Sequence, residues 1–268
     1  MVKRLLPKKT RIGHTGTLDP LASGLLVLLI GRATRLSRYV MSLDKSYTAT
    51  GRFGAVSDSL DAEGAITDLD APLPSDDALH DALPTFTGDL QQVPPMASAL
   101  KREGVRLYEL HRRGISVERE ARSVTVHRFV LRNVDPAEET ATFEITCSSG
   151  TYVRTLINDL ATSLNTGAYL TALRRTSVGH LTVDDAQDPP NLHPETVHNH
   201  IIPPCEVVAH LPGVDVSAEV GKSVVCHGGR LASSRVEGSY RVMCGGELLA
   251  IYRDDEDGGR AEVVLCAG

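Results

Sequence analysis

The chain has 268 residues, 41% hydrophobic and 23% charged, with a net charge of −6, the balance of an ordinary folded protein with length for one or two domains. No apolar run of about 18 residues occurs, and the basic amino terminus offers only Leu5 and Leu6 before Pro7; neither a membrane span nor an export signal is expected, and the cytoplasm is the expected compartment. The five cysteines are an odd set without a C-x-x-C pair, so reduced thiols are expected, with neither a disulfide framework nor a zinc site.

The charge is unevenly spread. Residues 1–54 carry 10 Lys and Arg against 2 acids, residues 55–90 carry 9 acids and no base, and residues 91–134 carry 9 bases against 4 acids. Two basic blocks therefore flank an acidic one, and phosphates could meet a positive local field despite the negative total. Ordinary solvated faces would give the same counts.

In chain order, Lys3, Arg4, Lys8, Lys9 and Arg11 lead into Arg11-Ile-Gly-His-Thr-Gly-Thr-Leu-Asp-Pro-Leu-Ala-Ser-Gly24. This stretch sets one carboxylate, Asp19, in a glycine-rich loop ahead of Leu25–Ile30, which reads as a buried strand. A rigidly held acid on such a loop is a site candidate, although Asp-Pro also starts simple turns. Arg32 to Leu43 has Leu36, Val40 and Leu43 at helical spacing with Arg32, Arg35 and Arg38 on another face, which predicts an amphipathic helix. Lys45 to Phe53 alternates as a half-buried strand carrying Tyr47.

Gly54 to Gly64 is acidic and turn-rich, and its Asp58, Asp61 and Glu63 are expected to be solvated. Ser75 should cap a helix over Asp76–Leu83. The runs Val124–Val134 and Thr142–Cys147 predict neighbouring strands. Val153, Leu156, Ile157, Leu160 and Leu164 then form one helical stripe, placing Arg154 near a helix amino terminus. There it opposes the helix dipole, which calls for a carboxylate or phosphate beside it, or for a plain surface salt bridge. The segment from Asp184 to Pro204, rich in Pro and His, reads as a linker. The runs Lys222–Cys226, Tyr240–Cys244 and Glu247–Tyr252 suggest a small β domain.

The string from Gly13 to Gly24 closely resembles the active-site motif of the bacterial tRNA pseudouridine-55 synthases, the TruB family. Asp44-Lys45-Ser46-Tyr47, Gly150-Thr-Tyr-Val-Arg154 and Gly167-Ala-Tyr-Leu-Thr-Ala-Leu-Arg-Arg-Thr176 resemble three further family segments in the family's order, and the likeness covers roughly residues 8–187. It implies that Asp19 is the catalytic carboxylate, that Tyr47 stacks on the target base, that Arg154 pairs with Asp19, and that Leu173 and His14 line the base pocket. From their charge and placement, Arg32, Arg35, Lys101 and Arg106 are candidate substrate contacts. Where the family usually has an aromatic before Ser-Ala, this chain has Ala97.

The resemblance implies an α+β fold: a mixed, largely antiparallel sheet flanked by helices over residues 1–187, a linker at 188–205 and a small PUA-like β domain at 206–268. It further implies isomerisation of one uridine in the T-loop of tRNA, by a monomer, without cofactor or metal. Nothing ahead of Asp19 corresponds to the family's usual opening Lys-Pro-x-Gly-x-Ser/Thr-Ser strand. An upstream start is therefore expected, and a tRNA-binding or folding module without strong catalysis is the alternative.

Overall fold

The alternating run Thr140–Cys147 buries Ala141, Phe143, Ile145 and Cys147 on one side of a strand, and that side is the floor of the larger core. The computed structural model describes residues 2–98, 100–102, 104–217 and 221–266. By their contacts the residues group into two units, one of residues 18–25 and 43–184, the other of residues 1–17, 26–42 and 185–268.

The first unit is built on a seven-stranded sheet: β1 (Ala22–Gly24), β2 (Lys45–Phe53), β3 (Gly88–Gln92), β4 (Arg122–Asp135), β5 (Thr140–Cys147), β6 (Ala168–Val178) and β7 (Leu181–Thr182). Its order is β7-β6-β2-β5-β4-β3, antiparallel throughout, with β1 added in parallel to β6. The expected strands at 45–53, 124–134 and 142–147 are all present, and β4 and β5 are neighbours as predicted.

Helix α1 (Asp76–Ala82) begins where Ser75 Oγ accepts the Ala78 N–H, the expected cap. Helix α2 (Val153–Ser163) lays Val153, Leu156, Ile157 and Leu160 onto the sheet, against Phe53, Phe143 and Ile145. Burying each such side chain stabilises the fold by roughly 1.5–3 kcal/mol, so α2 is a firm platform for its first turn.

In the second unit a four-stranded sheet runs β8 (Gly213–Asp215), β9 (Ser239–Cys244), β10 (Glu247–Asp255) and β11 (Gly258–Val264) around Tyr240, Val242, Leu249 and Tyr252. Three expectations change here. Lys222–Cys226 is helical, within α3 (Gly221–Cys226), because only Val225 is drawn into the core and the β-branched composition is overridden by packing. The stretch Arg32–Leu43 is a 3-10 turn (Gly31–Leu36) followed by one α turn (Ser37–Met41), not one continuous helix. The five thiols are not all reduced: Cys226 and Cys266 are joined, with Cα atoms 5.4 Å apart and a sequence separation of 40. Only tertiary folding brings the end of α3 beside the residues after β11, so no local spacing could show it.

The predicted strand at 25–30 is also revised. The chain forms β1 at 22–24 and a separate strand, Leu28–Ile30, paired with Ile12–His14 in the second unit. The break follows Gly24, whose φ of +95° is left-handed, and a Cβ there would lie 2.2 Å from the Arg175 carbonyl oxygen. Gly24→Ala should therefore destabilise the chain by roughly 1–3 kcal/mol, through backbone strain and loss of the β1–β6 pairing. A thermal melt checks this, and an unchanged midpoint would remove the constraint.

Candidate active site

Asp19 is held by a tight turn, its carbonyl accepting the Ala22 N–H at 2.9 Å just where β1 begins. β1 then pairs with β6 at Leu173–Arg175, and β6 pairs with β2 so that Arg175 stands opposite Tyr47 and Leu173 opposite Ala49. Sequence-distant residues are thereby fixed on one sheet face. Tyr47 and Ala22 are half-buried against the core that contains Leu173.

Arg154 projects from the first turn of α2 and is 3% exposed. Its Nε lies 2.8 Å from Asp19 Oδ2, and its Nη1 lies 3.0 Å from Asp61 Oδ2. Nη1 also donates to the Ser59 carbonyl at 2.9 Å and Nη2 to the Ala97 carbonyl at 2.8 Å. The approach of Nε to Asp19 is short but lacks hydrogen-bond alignment, so this contact is a charge pair and the Nη contacts are the directional anchors. A guanidinium near a helix amino terminus is compensated as the dipole argument requires, by two carboxylates.

Asp61 corrects the sequence reading. It was expected in solvent, yet its side chain is 5% exposed, and it also accepts the Ser59 hydroxyl at 2.6 Å and the Glu63 N–H at 3.1 Å. Its loop is docked on β6 by the Ala62 N–H to Leu170 carbonyl and Leu170 N–H to Leu60 carbonyl bonds, each 3.0 Å. Gly64 closes that loop, since a Cβ there would fall 2.3 Å from both Asp58 Oδ1 and Ser59 Oγ. The available signal was the donor count of Arg154: five N–H groups on a buried fork need more than one carboxylate. Ala97 contributes its backbone carbonyl, which any side chain at that position would also offer.

The carboxyl of Asp19 is 35% exposed, facing open space while its partner is sealed. Burial pushes its pKa above the usual 3.8; the Arg154 charge opposes that rise and the Asp61 charge adds to it. The Tyr47 phenol is pushed up to about 12, first by burial, with the Asp19 charge adding to the rise and the Arg175 guanidinium opposing it. Asp19, Arg154 and Tyr47 are thus brought together.

The remaining candidates are placed differently. His14 is exposed at the end of its short strand in the second unit. Arg32 and Arg35, in the same unit, donate to the Leu265 and Val264 carbonyls at 3.0 and 2.7 Å. Arg106 is exposed, its guanidinium 5.9 Å from the Tyr108 ring centroid, with Arg112 at 5.6 Å from that ring. The Lys101 side chain lies outside the described residues. Among the described residues no cluster of His, Cys, Asp or Glu could hold a metal ion, and no helix is long and apolar enough to cross a membrane.

Residues 3–153 match the model of the TruB family pseudouridylate synthase amino-terminal domain. The chain belongs to the TruB family. It is therefore grouped with the pseudouridine-forming isomerases. It is similar to tRNA pseudouridine synthase B of Cupriavidus metallidurans, 50% identical over 69% of this chain and 58% of that protein, and of Aromatoleum aromaticum, 44% identical over 80% and 70%. The corresponding protein of Burkholderia mallei is 42% identical over 94% of this chain and 83% of its own length. The fold matches a Cbf5-Nop10-Gar1 complex with a TM-score of 0.70 at 22% identity, covering 99% of this chain and 79% of that one.

If Asp61 raises the Asp19 pKa through its charge, Asp61→Asn should move the Asp19 titration to lower pH. Carboxyl-carbon NMR of the natural chain should give a midpoint above 3.8 and the variant a lower one. A midpoint that rises or stays fixed would refute the shared-charge description.

Proposed function

We propose that this chain isomerises one uridine in the T-loop of tRNA, position 55, to pseudouridine, with Asp19 as the catalytic carboxylate acting on a nucleotide turned out of its stack. The observation that carries this is the half-open Asp19 carboxyl anchored from behind by the buried Arg154, which itself is tied to Asp61 and two carbonyls. One oxygen-rich edge of the site is left for substrate and the other is immobilised.

In this reading the extruded uracil stacks on Tyr47 and rests against Leu173. Unstacking a base costs a few kcal/mol, and an aromatic surface returns roughly 1–3 kcal/mol of it. The N1–C1′ glycosidic bond breaks, the detached uracil turns within the pocket, and a C5–C1′ bond forms. The C5 proton leaves and N1 takes one up, so atoms balance without redox partner, group donor or metal. Asp19 must be ionised both to attack C1′ and to remove a ribose proton; either route starts from the same carboxylate.

Arg154 supplies a fixed positive charge beside Asp19. That charge draws the Asp19 pKa down against the rise that burial brings, and the Nη contacts to Asp61 and two carbonyls keep the guanidinium in place. The exposed Arg106 is the candidate for contact with the T-arm backbone, and His14, Arg32, Arg35 and Lys101 are proposed as further RNA-contacting residues. The exposed Arg106 and Arg112 around Tyr108 have the mixture of cation and aromatic that single-stranded RNA favours. A monomer working in the cytoplasm, without cofactor, is part of the same proposal.

The test uses purified protein and an unmodified tRNA transcript, with no guide RNA or other protein added. The natural chain should form pseudouridine at one T-loop position. Asp19→Asn should lower the rate by roughly 10⁴-fold or more while leaving RNA affinity within about twofold. Arg154→Lys, which keeps the charge but loses the fork, should slow the reaction at least about tenfold. Binding without conversion by the natural chain would leave a tRNA-holding module and reject the enzyme.

A further inference from the structure

Among the described residues of the first unit Arg175 is a second buried arginine, 3% exposed in β6, at a place where a sheet usually sinks an apolar side chain. Its Nε donates to the Leu25 carbonyl at 2.7 Å, and its own carbonyl accepts the Leu25 N–H at 2.8 Å. Leu25 directly follows β1, the strand that leaves the Asp19 turn. Across the sheet Arg175 stands opposite Tyr47 in register, and its charge acts on the Tyr47 phenol. One residue therefore holds the strand behind the carboxylate's turn and lies beside the aromatic ring.

We propose that Arg175 is a positioning residue for the reaction, locking the Tyr47 ring and the strand behind Asp19 into one frame so that stacking surface and carboxylate keep a fixed separation. This rests on the reading that Tyr47 stacks on the target base. A phenylalanine would stack equally well, so the hydroxyl needs a separate use, and being held by Arg175 is that use. The phenol, pushed up to about 12 by burial, stays neutral across the working range and keeps its oxygen available as an acceptor. The backbone links cannot replace this grip, because they fix strands but leave the ring free to tilt about its side-chain torsions.

The experiment is a cycle of four proteins: natural, Tyr47→Phe, Arg175→Met and the double variant. Thermal melting, tRNA affinity and single-turnover rate are measured on each. Each single change should lower the rate at least about tenfold with affinity within about twofold. The double variant should be no slower than the worse single one, and its melting shift should be smaller than the two single shifts added. Arg175→Lys, retaining one charged donor, should recover part of the rate lost in Arg175→Met.

Multiplied rate losses, additive melting shifts, or full rate in Tyr47→Phe would each overturn the proposal. Should Arg175→Met not fold, Tyr47→Phe decides alone, since it keeps the packing and removes only the grip. Failure of the wider functional reading shows separately, as no product from the natural chain. The melting cycle needs no activity and still tests whether Arg175 and Tyr47 act together.

Discussion

The proposed active site depends on one guanidinium divided between two carboxylates. A buried arginine is tolerable only when its charge and donors are met, and Arg154 is met from three directions: by the Asp19 charge, by the Ser59–Asp61 loop and by the Ala97 carbonyl. Removing any one partner leaves charge or donors stranded in a sealed place. The shared contacts hold the guanidinium beside Asp19 while about a third of the Asp19 side chain stays open.

The sheet makes this geometry possible at low conformational cost. β6 receives β1 on one side and β2 on the other, so the acid, the aromatic ring and the apolar floor are fixed by backbone hydrogen bonds before any side chain contributes. α2 brings the arginine in from above the same face, anchored by its apolar stripe. A loop docked at Leu170 supplies the second carboxylate. Segments far apart in sequence, the Asp19 turn, the Ser59–Asp61 loop and Ala97, all meet the Arg154 guanidinium.

Much of this was legible in the letters. Period-two alternation gave β2, β4 and β5, the serine before two aspartates gave the start of α1, and the 3.6-residue stripe gave α2 with Arg154 in its first turn. The family likeness carried Asp19, Tyr47 and Arg154, residues that local physics alone left as turn, core and surface. Asp61 was hidden because an acidic, turn-rich loop reads as solvated unless its docking partner is known. Arg175 was hidden because its role depends on strand register between β2 and β6. The helix at 221–226 and the Cys226–Cys266 link were set by packing, and composition pointed the other way.

The most direct test of the central claim is the single-turnover rate of pseudouridine formation by Asp61→Asn, with tRNA affinity measured beside it. A rate lower by about 10²-fold or more with nearly unchanged affinity is predicted, because Arg154 would lose its rear anchor and Asp19 its fixed orientation. A rate equal to that of the natural chain would contradict the claim that Asp19 depends on a shared guanidinium.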